Sequence, residues 1–249
     1  RRQRQMCIRD SPTSAGSYAL KDLELPDAFC IQRLRRNPNI DFFGKTHLTE
    51  LAGFVTSNVL PYGYSELGGF GRNPHGNFPC GGSSSGSAIA VAAGFCDAAL
   101  GTETRGSLMI PGFRNGVFSF KPSRGLVSRT GIIPLSSSFD APGVLARNPE
   151  ILREVFLFMV GVDPEDDQPF ELTKTESSFS RKRIVFCVNR KFGEMEMLQT
   201  KLHPFLSQLK LKGFEIAFID LPEVVFDYKT ISSADILSLI HISEPTRPY

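Results

Sequence analysis

Residues 80–111 read CGGSSSGSAIAVAAGFCDAALGTETRGSLMIP: a Gly/Ser loop, a run of small and apolar residues, then a second Gly-Ser turn. From Ser84 to Cys96 the run is almost wholly small or apolar, so it predicts a buried helix with close neighbours rather than a surface one. Ala98 to Thr102 follows as a short buried strand, which delivers Thr104, Arg105, Gly106 and Ser107 into a turn. Upstream, Lys45 ends another strand-like run, DFFGK from Asp41. Two hydroxyls, an amine and a turn of backbone N–H groups are parts for acyl transfer without histidine, cysteine or metal.

Taken singly, each part has a plainer reading. A Gly/Ser loop is more often a flexible turn, a lone strand-end lysine a solvated cation, and a lone serine a turn former. No Lys-Ser/Thr pair follows the loop, which argues against a phosphate cradle. The ordered combination reverses these readings. Gly44-Lys45-Thr46 with Thr49-Glu50, Gly81 to Ser87, Gly101 to Thr104 with Gly106-Ser107, Lys121-Pro122 and Gly125 to Arg129 stand in order between Asp27 and Gly161. Together they resemble the amidase signature family.

The resemblance implies a serine amidohydrolase with no cofactor and no metal. It assigns Ser107 as nucleophile, Ser83, 24 residues earlier and preceded by a cis peptide bond, as proton relay, and Lys45 as base. Gly81 and Gly82 would shape the loop, and the N–H groups of Thr104, Arg105, Gly106 and Ser107 would form the oxyanion hole. A lysine acts as base only when neutral, so its pKa must fall from about 10 by burial or nearby dipoles. Glu103, Arg105 and Met109 depart from the commonest family pattern. With Gly125 to Pro134, GLVSRTGIIP, they are more similar to the peptide amidase subgroup than to the A subunits of amidotransferases. Arg105 at the oxyanion turn either occludes the site, contacts a substrate carboxylate or points away.

Outside this region, Asp27 to Arg36 predicts a short amphipathic helix through Cys30, Ile31 and Leu34. Ser57 to Pro79 reads as a long irregular stretch, Val117 to Phe120 as a second short buried strand, and Asn148 to Val160 as a helix capped by Asn148. After an acidic connection, Asp163 to Lys182, the chain alternates: strand Arg183 to Val188, helix Met195 to Leu211 kinked or split at Pro204, strand Phe214 to Ile219. The expected class is α/β, with a mixed, mostly parallel twisted sheet flanked by helices.

Both ends read differently. Residues 1–11 and 237–249 match in-frame translations of sequencing-library adaptors and are expected to be non-native, leaving 12–236 as one incomplete amidase domain. Arg1, Arg2, Arg4 and Arg9 against Asp10 carry +3, so a formal charge of +2 becomes about −1 without them, and a nucleic-acid partner is not expected. No apolar run reaches the roughly 18 residues of a membrane helix. Cys30, Cys80, Cys96 and Cys187 are widely spaced, which disfavours a disulfide framework or metal site. Cytoplasmic placement is favoured for the fragment. The leading expectation is hydrolysis of a linear small-molecule or peptide carboxamide to carboxylate and ammonia. The alternatives are a glutaminase-type A subunit of a tRNA-dependent amidotransferase and a catalytically inactive scaffold.

Overall fold

In the computed structural model of the chain, residues 12–53, 60–166, 183–188, 200 and 202–220 are described. The expectations for residues 1–11 and 237–249, and for the start of the helix from Met195, lie outside them. The chain divides into two units, Arg1–Glu171 and Leu172–Tyr249.

In the first unit, helix α1 spans Phe29–Leu34 and buries Cys30, Ile31 and Leu34, the stripe that its periodicity predicts. Asp27, just before the helix N-terminus, holds the C-terminal half: its carboxylate accepts from Arg35 Nε at 2.6 Å and its carbonyl from Gln32 Nε2 at 2.8 Å. Helix α2 covers Ser85–Ala92, shorter than the run of small residues. It gives way at Gly94, whose φ of +73° is the left-handed conformation that ends helices. The short antiparallel strands β1, Tyr64–Ser65, and β2, Gly69–Phe70, lie between these two helices in the chain, and strand β3, Ala98–Glu103, and helix α3, Met109–Arg114, follow α2. Strand β4, Phe118–Phe120, forms where a strand is expected, but Phe118 is 50% exposed because it lies on the edge of its sheet.

The centre of that sheet is strand β5, Ala141–Ala146, buried along its whole length and antiparallel to both β3 and β4. Its sequence, APGVLA, argues against a central strand, since proline lacks the ladder N–H and glycine weakens strands. Two local facts overcome this. Pro142 stands opposite Thr102, whose carbonyl accepts from Ser84 Oγ at 3.2 Å instead of from β5. At Gly143 a Cβ would run into the carbonyl oxygen of Phe120, so only glycine lets β4 lie this close.

Helix α4, Pro149–Met159, starts as its sequence predicts, with Asn148 Oδ1 accepting from Ile151 N–H at 2.8 Å and proline in the first turn. It packs with α1 on the sheet, where Ala28, Cys30, Ile31, Leu34, Val127, Val144 and Met159 make the main core. Each fully buried large aliphatic here contributes about 1.5–3 kcal/mol. Ala88, Leu108 and Leu145 form a second cluster between α2 and the sheet. A polar clamp closes the unit: Arg129 pairs with Asp166 at 3.0 Å, Arg129 N–H donates to the same carboxylate at 2.9 Å, and Ser128 Oγ donates to Asp163.

In the second unit, β6 (Arg183–Val188) and β7 (Glu215–Asp220) pair in parallel, Arg183 beside Glu215. Helix α5, His203–Leu211, carries Pro204 in its first turn, where a missing N–H costs nothing, so the proline opens the helix rather than kinking it. The described strands are thus mixed in direction within an α/β class.

Candidate active site

The polar centre of the first unit is a seam between residues 46–49 and the loop that opens α2. Thr46 Oγ1 and Ser87 Oγ lie 2.6 Å apart, Gly86 N–H donates to His47 O at 2.6 Å, and Thr49 N–H donates to Ser83 O at 3.0 Å. The approach is this close because Gly86 has no side chain: a Cβ there would meet the backbone N and O of His47 and lie 2.6 Å from its Cα. Gly82 is held in the same way, its hydrogen facing Thr49 Oγ1 and Tyr62, and Gly81 takes a φ of +70° beside α3. The Gly82–Ser83 peptide bond is cis, at the position where the resemblance places one.

On the other side, α2 covers the outer edge of β3. Ser84 Oγ donates to Thr102 O at 3.2 Å and Ser87 Oγ to Leu100 O at 2.7 Å. Serines three apart on a helix thus reach carbonyls two apart on a strand, and satisfy groups that a neighbouring strand would otherwise claim. This pairing of spacings is the signal that a reading of Ser83 to Ser87 as a mere loop misses. The helix and strand together bring the two turns side by side: Ser84 N–H donates to Ser107 O at 3.1 Å. Ser83 is 1% exposed, while Ser107 is half-buried at the start of α3.

The turn itself is held at both flanks. Glu103 Oε2 accepts from Leu108 N–H at 2.8 Å and Met109 N–H at 3.0 Å, and Lys121 Nζ donates to Thr104 O at 3.0 Å. Thr104 Oγ1 donates to Asp140, whose second oxygen accepts from Leu135 and Ser136 N–H. Between these flanks lie Arg105, whose side chain is exposed, Gly106 with φ +80°, and Ser107.

Lys45 stands at the start of the seam, directly before Thr46. Asp41 to Lys45 forms no strand ladder among the described residues, so the expected strand is not found there. The lysine is half-buried, and its ammonium donates to Thr13 Oγ1 at 2.8 Å and Pro12 O at 3.3 Å. It also lines a cavity of about 740 Å³ with Phe43, Phe70, Arg72, Ile89 and Phe95, whose wall includes neither Ser83 nor Ser107. The two serine turns are thus joined by a backbone hydrogen bond, and Lys45 reaches back to the segment that precedes α1.

The histidines pin loops. His47 Nε2 bonds Gly63 O at 2.6 Å, and burial, opposed by that bond, pushes its pKa below the ordinary value. His75 Nε2 bonds Asn115 O at 2.9 Å. Burial pushes the Cys80 and Cys96 thiols up, away from the reactive thiolate. Among the described residues no three His, Cys, Asp or Glu side chains group as metal ligands, and no helix is long and apolar enough to cross a membrane.

Comparison with known proteins places these parts in a family. A family model described as Amidase matches residues 4–239. The A subunit of glutamyl-tRNA(Gln) amidotransferase from Campylobacter lari is 33% identical over 238 residues, 92% of this chain and 51% of that protein. The crystal structure of peptide amidase from Stenotrophomonas maltophilia superposes with a TM-score of 0.78 at 33% identity, covering 94% of this chain and 49% of that one. An amidase family protein from Bacillus anthracis gives a TM-score of 0.73 at 30% identity, over 96% and 51%. The chain spans about half the length of these relatives.

Proposed function

The chain belongs to the amidase family, and from that premise we propose that it hydrolyses a linear carboxamide to a carboxylate and ammonia through an acyl-enzyme on Ser107. The observation that carries this reading is the hydrogen bond from Ser84 N–H to Ser107 O, which sets the Gly81 to Ser83 loop against the Ser107 turn. Ser107 Oγ attacks the amide carbonyl and its proton passes to Ser83. The carbonyl oxygen, now an anion, is received by backbone N–H groups of the turn from Thr104 to Ser107, where one donor is typically worth about 10²–10³ in rate. The same proton returns to the departing nitrogen, and water then cleaves the ester.

The resemblance makes Lys45 the base at the end of this relay. Its half-buried position, which penalises the charged ammonium, supports that role. The deciding experiment treats the purified chain, Ser107→Ala and Lys45→Met with a fluorophosphonate probe and reads intact mass. The expected result is one adduct on the parent and none on either variant. A folded parent that takes up no probe refutes the hydrolytic reading for this chain and favours an inactive scaffold. An adduct retained in Lys45→Met removes Lys45 from the relay.

A second reading is a glutaminase-type A subunit that passes ammonia to a partner, which the similarity to the Campylobacter lari protein over 92% of the chain favours. Glutamine hydrolysis that appears only with co-purified amidotransferase components would select it over a free-standing peptide or small-molecule amidase.

A further inference from the structure

We propose that Lys121 is a positioning residue for the oxyanion turn: its ammonium fixes the Thr104–Arg105 peptide plane and so aims the Arg105 N–H. This rests on the amide-hydrolysis reading above.

Lys121 directly follows strand β4, which is hydrogen-bonded to the buried central strand β5, so its backbone is carried by the sheet and not by a loop. From there Nζ donates to Thr104 O at 3.0 Å and stands 3.9 Å from Glu103 Oε1. A trans peptide is planar, with its C=O and N–H directed to opposite sides. Holding the Thr104 carbonyl toward Lys121 therefore turns the Arg105 N–H away from Lys121. The rest of the turn has other anchors: Thr104 Oγ1 is tied to Asp140, and the Leu108 and Met109 N–H groups to Glu103 Oε2. Lys121 touches a peptide plane between those anchors.

The chemistry explains why a lysine suits the place. An ammonium has three donor directions, enough to hold a carbonyl and face a carboxylate together. Glu103 and Lys121 side chains are 8% and 28% exposed, so the pair works in partly excluded solvent and does not depend on a fully exposed contact. Lys121→Met keeps the apolar stem and removes the donor.

The test has two readouts on the full chain. The first is backbone amide NMR. In Lys121→Met the Arg105 amide resonance is expected to shift and to exchange faster, while the Leu108 and Met109 amides, held by Glu103, keep theirs. The second is turnover of a primary carboxamide. Full loss of one oxyanion donor costs about 10²–10³, so a donor that is present but no longer aimed is expected to lower kcat by about 10–100-fold, with KM little changed and Lys121→Arg restoring most of it. An unmoved Arg105 amide overturns the proposal, as does a general loss of the Leu108 and Met109 signals, which would make Lys121 a folding residue. A parent that fails to label at Ser107 overturns the hydrolysis reading alone, because the Arg105 resonance still decides whether Lys121 orients the turn.

Discussion

Gly86→Ala separates two opposing expectations about the seam. Helix propensity alone predicts that replacing a helical glycine by alanine stabilises by about 1 kcal/mol. The structure predicts the reverse, because the new Cβ would meet the N and O of His47 and lie 2.6 Å from its Cα, against an ordinary contact of 3.4 Å or more. These are backbone atoms, so neither side can turn away, and the 46–49 segment must retreat by about 1 Å. Overpacking of this kind costs about 1–3 kcal/mol. The retreat also stretches the bonds from Gly86 N–H to His47 O and from Thr49 N–H to Ser83 O, each worth about 1 kcal/mol net. After subtracting the propensity gain, the expected loss is about 2–4 kcal/mol, or a fall of about 4–16 °C in Tm for a chain of this size. Thermal unfolding by circular dichroism and the urea midpoint measure it. A Tm equal to or above that of the parent would refute the reasoning, since it would mean that the seam yields freely.

Other changes probe the clamps and the pH response. Asp166→Ala leaves the Arg129 guanidinium, 13% exposed, without its carboxylate, and removing one partner of a buried pair typically costs about 3–5 kcal/mol, so the urea midpoint should drop sharply; a midpoint within error of the parent would show that the pair is dispensable. Asn148→Ala removes the cap on Ile151 N–H and is expected to cost about 1 kcal/mol, read as a smaller midpoint shift; no shift would mean that Pro149 alone starts the helix. Acidification should lower Tm in two stages. His47 is pushed below its ordinary pKa of 6.5 by burial, so the folded state resists its protonation and stability falls as pH drops below about 6.5. At Asp163 burial pushes the carboxyl up, but hydrogen bonds from Ser128, Thr130 and the Glu165 N–H outweigh it and hold the pKa below 3.8, so that contribution is lost below about pH 4. In His47→Gln the first stage should disappear, and its persistence would assign it to another group.

What the sequence by itself determined is local. The Cys30, Ile31 and Leu34 stripe, the Asn148 cap and the two strands expected at Arg183 to Val188 and Phe214 to Ile219 depend on neighbours in the chain, and each appears as an element where its residues predict. The family was legible too, through the resemblance carried by the ordered motifs from Gly44 to Arg129. Tertiary structure decided the rest. β5 was illegible because Pro142 and Gly143 are tolerated only for reasons that lie on β3 and β4, in the turned-out Thr102 carbonyl and the close Phe120 oxygen. The two serine turns meet because α2 seals the edge of β3, a match of helix spacing to strand spacing that no single stretch displays. At Lys45 the residues around it suggested a strand end, whereas the segment pairs with no described strand and its ammonium is held by Thr13, 32 residues earlier. Hydropathy along a chain sets which residues extend, but the partner of a charged group is set by what the fold carries to its side.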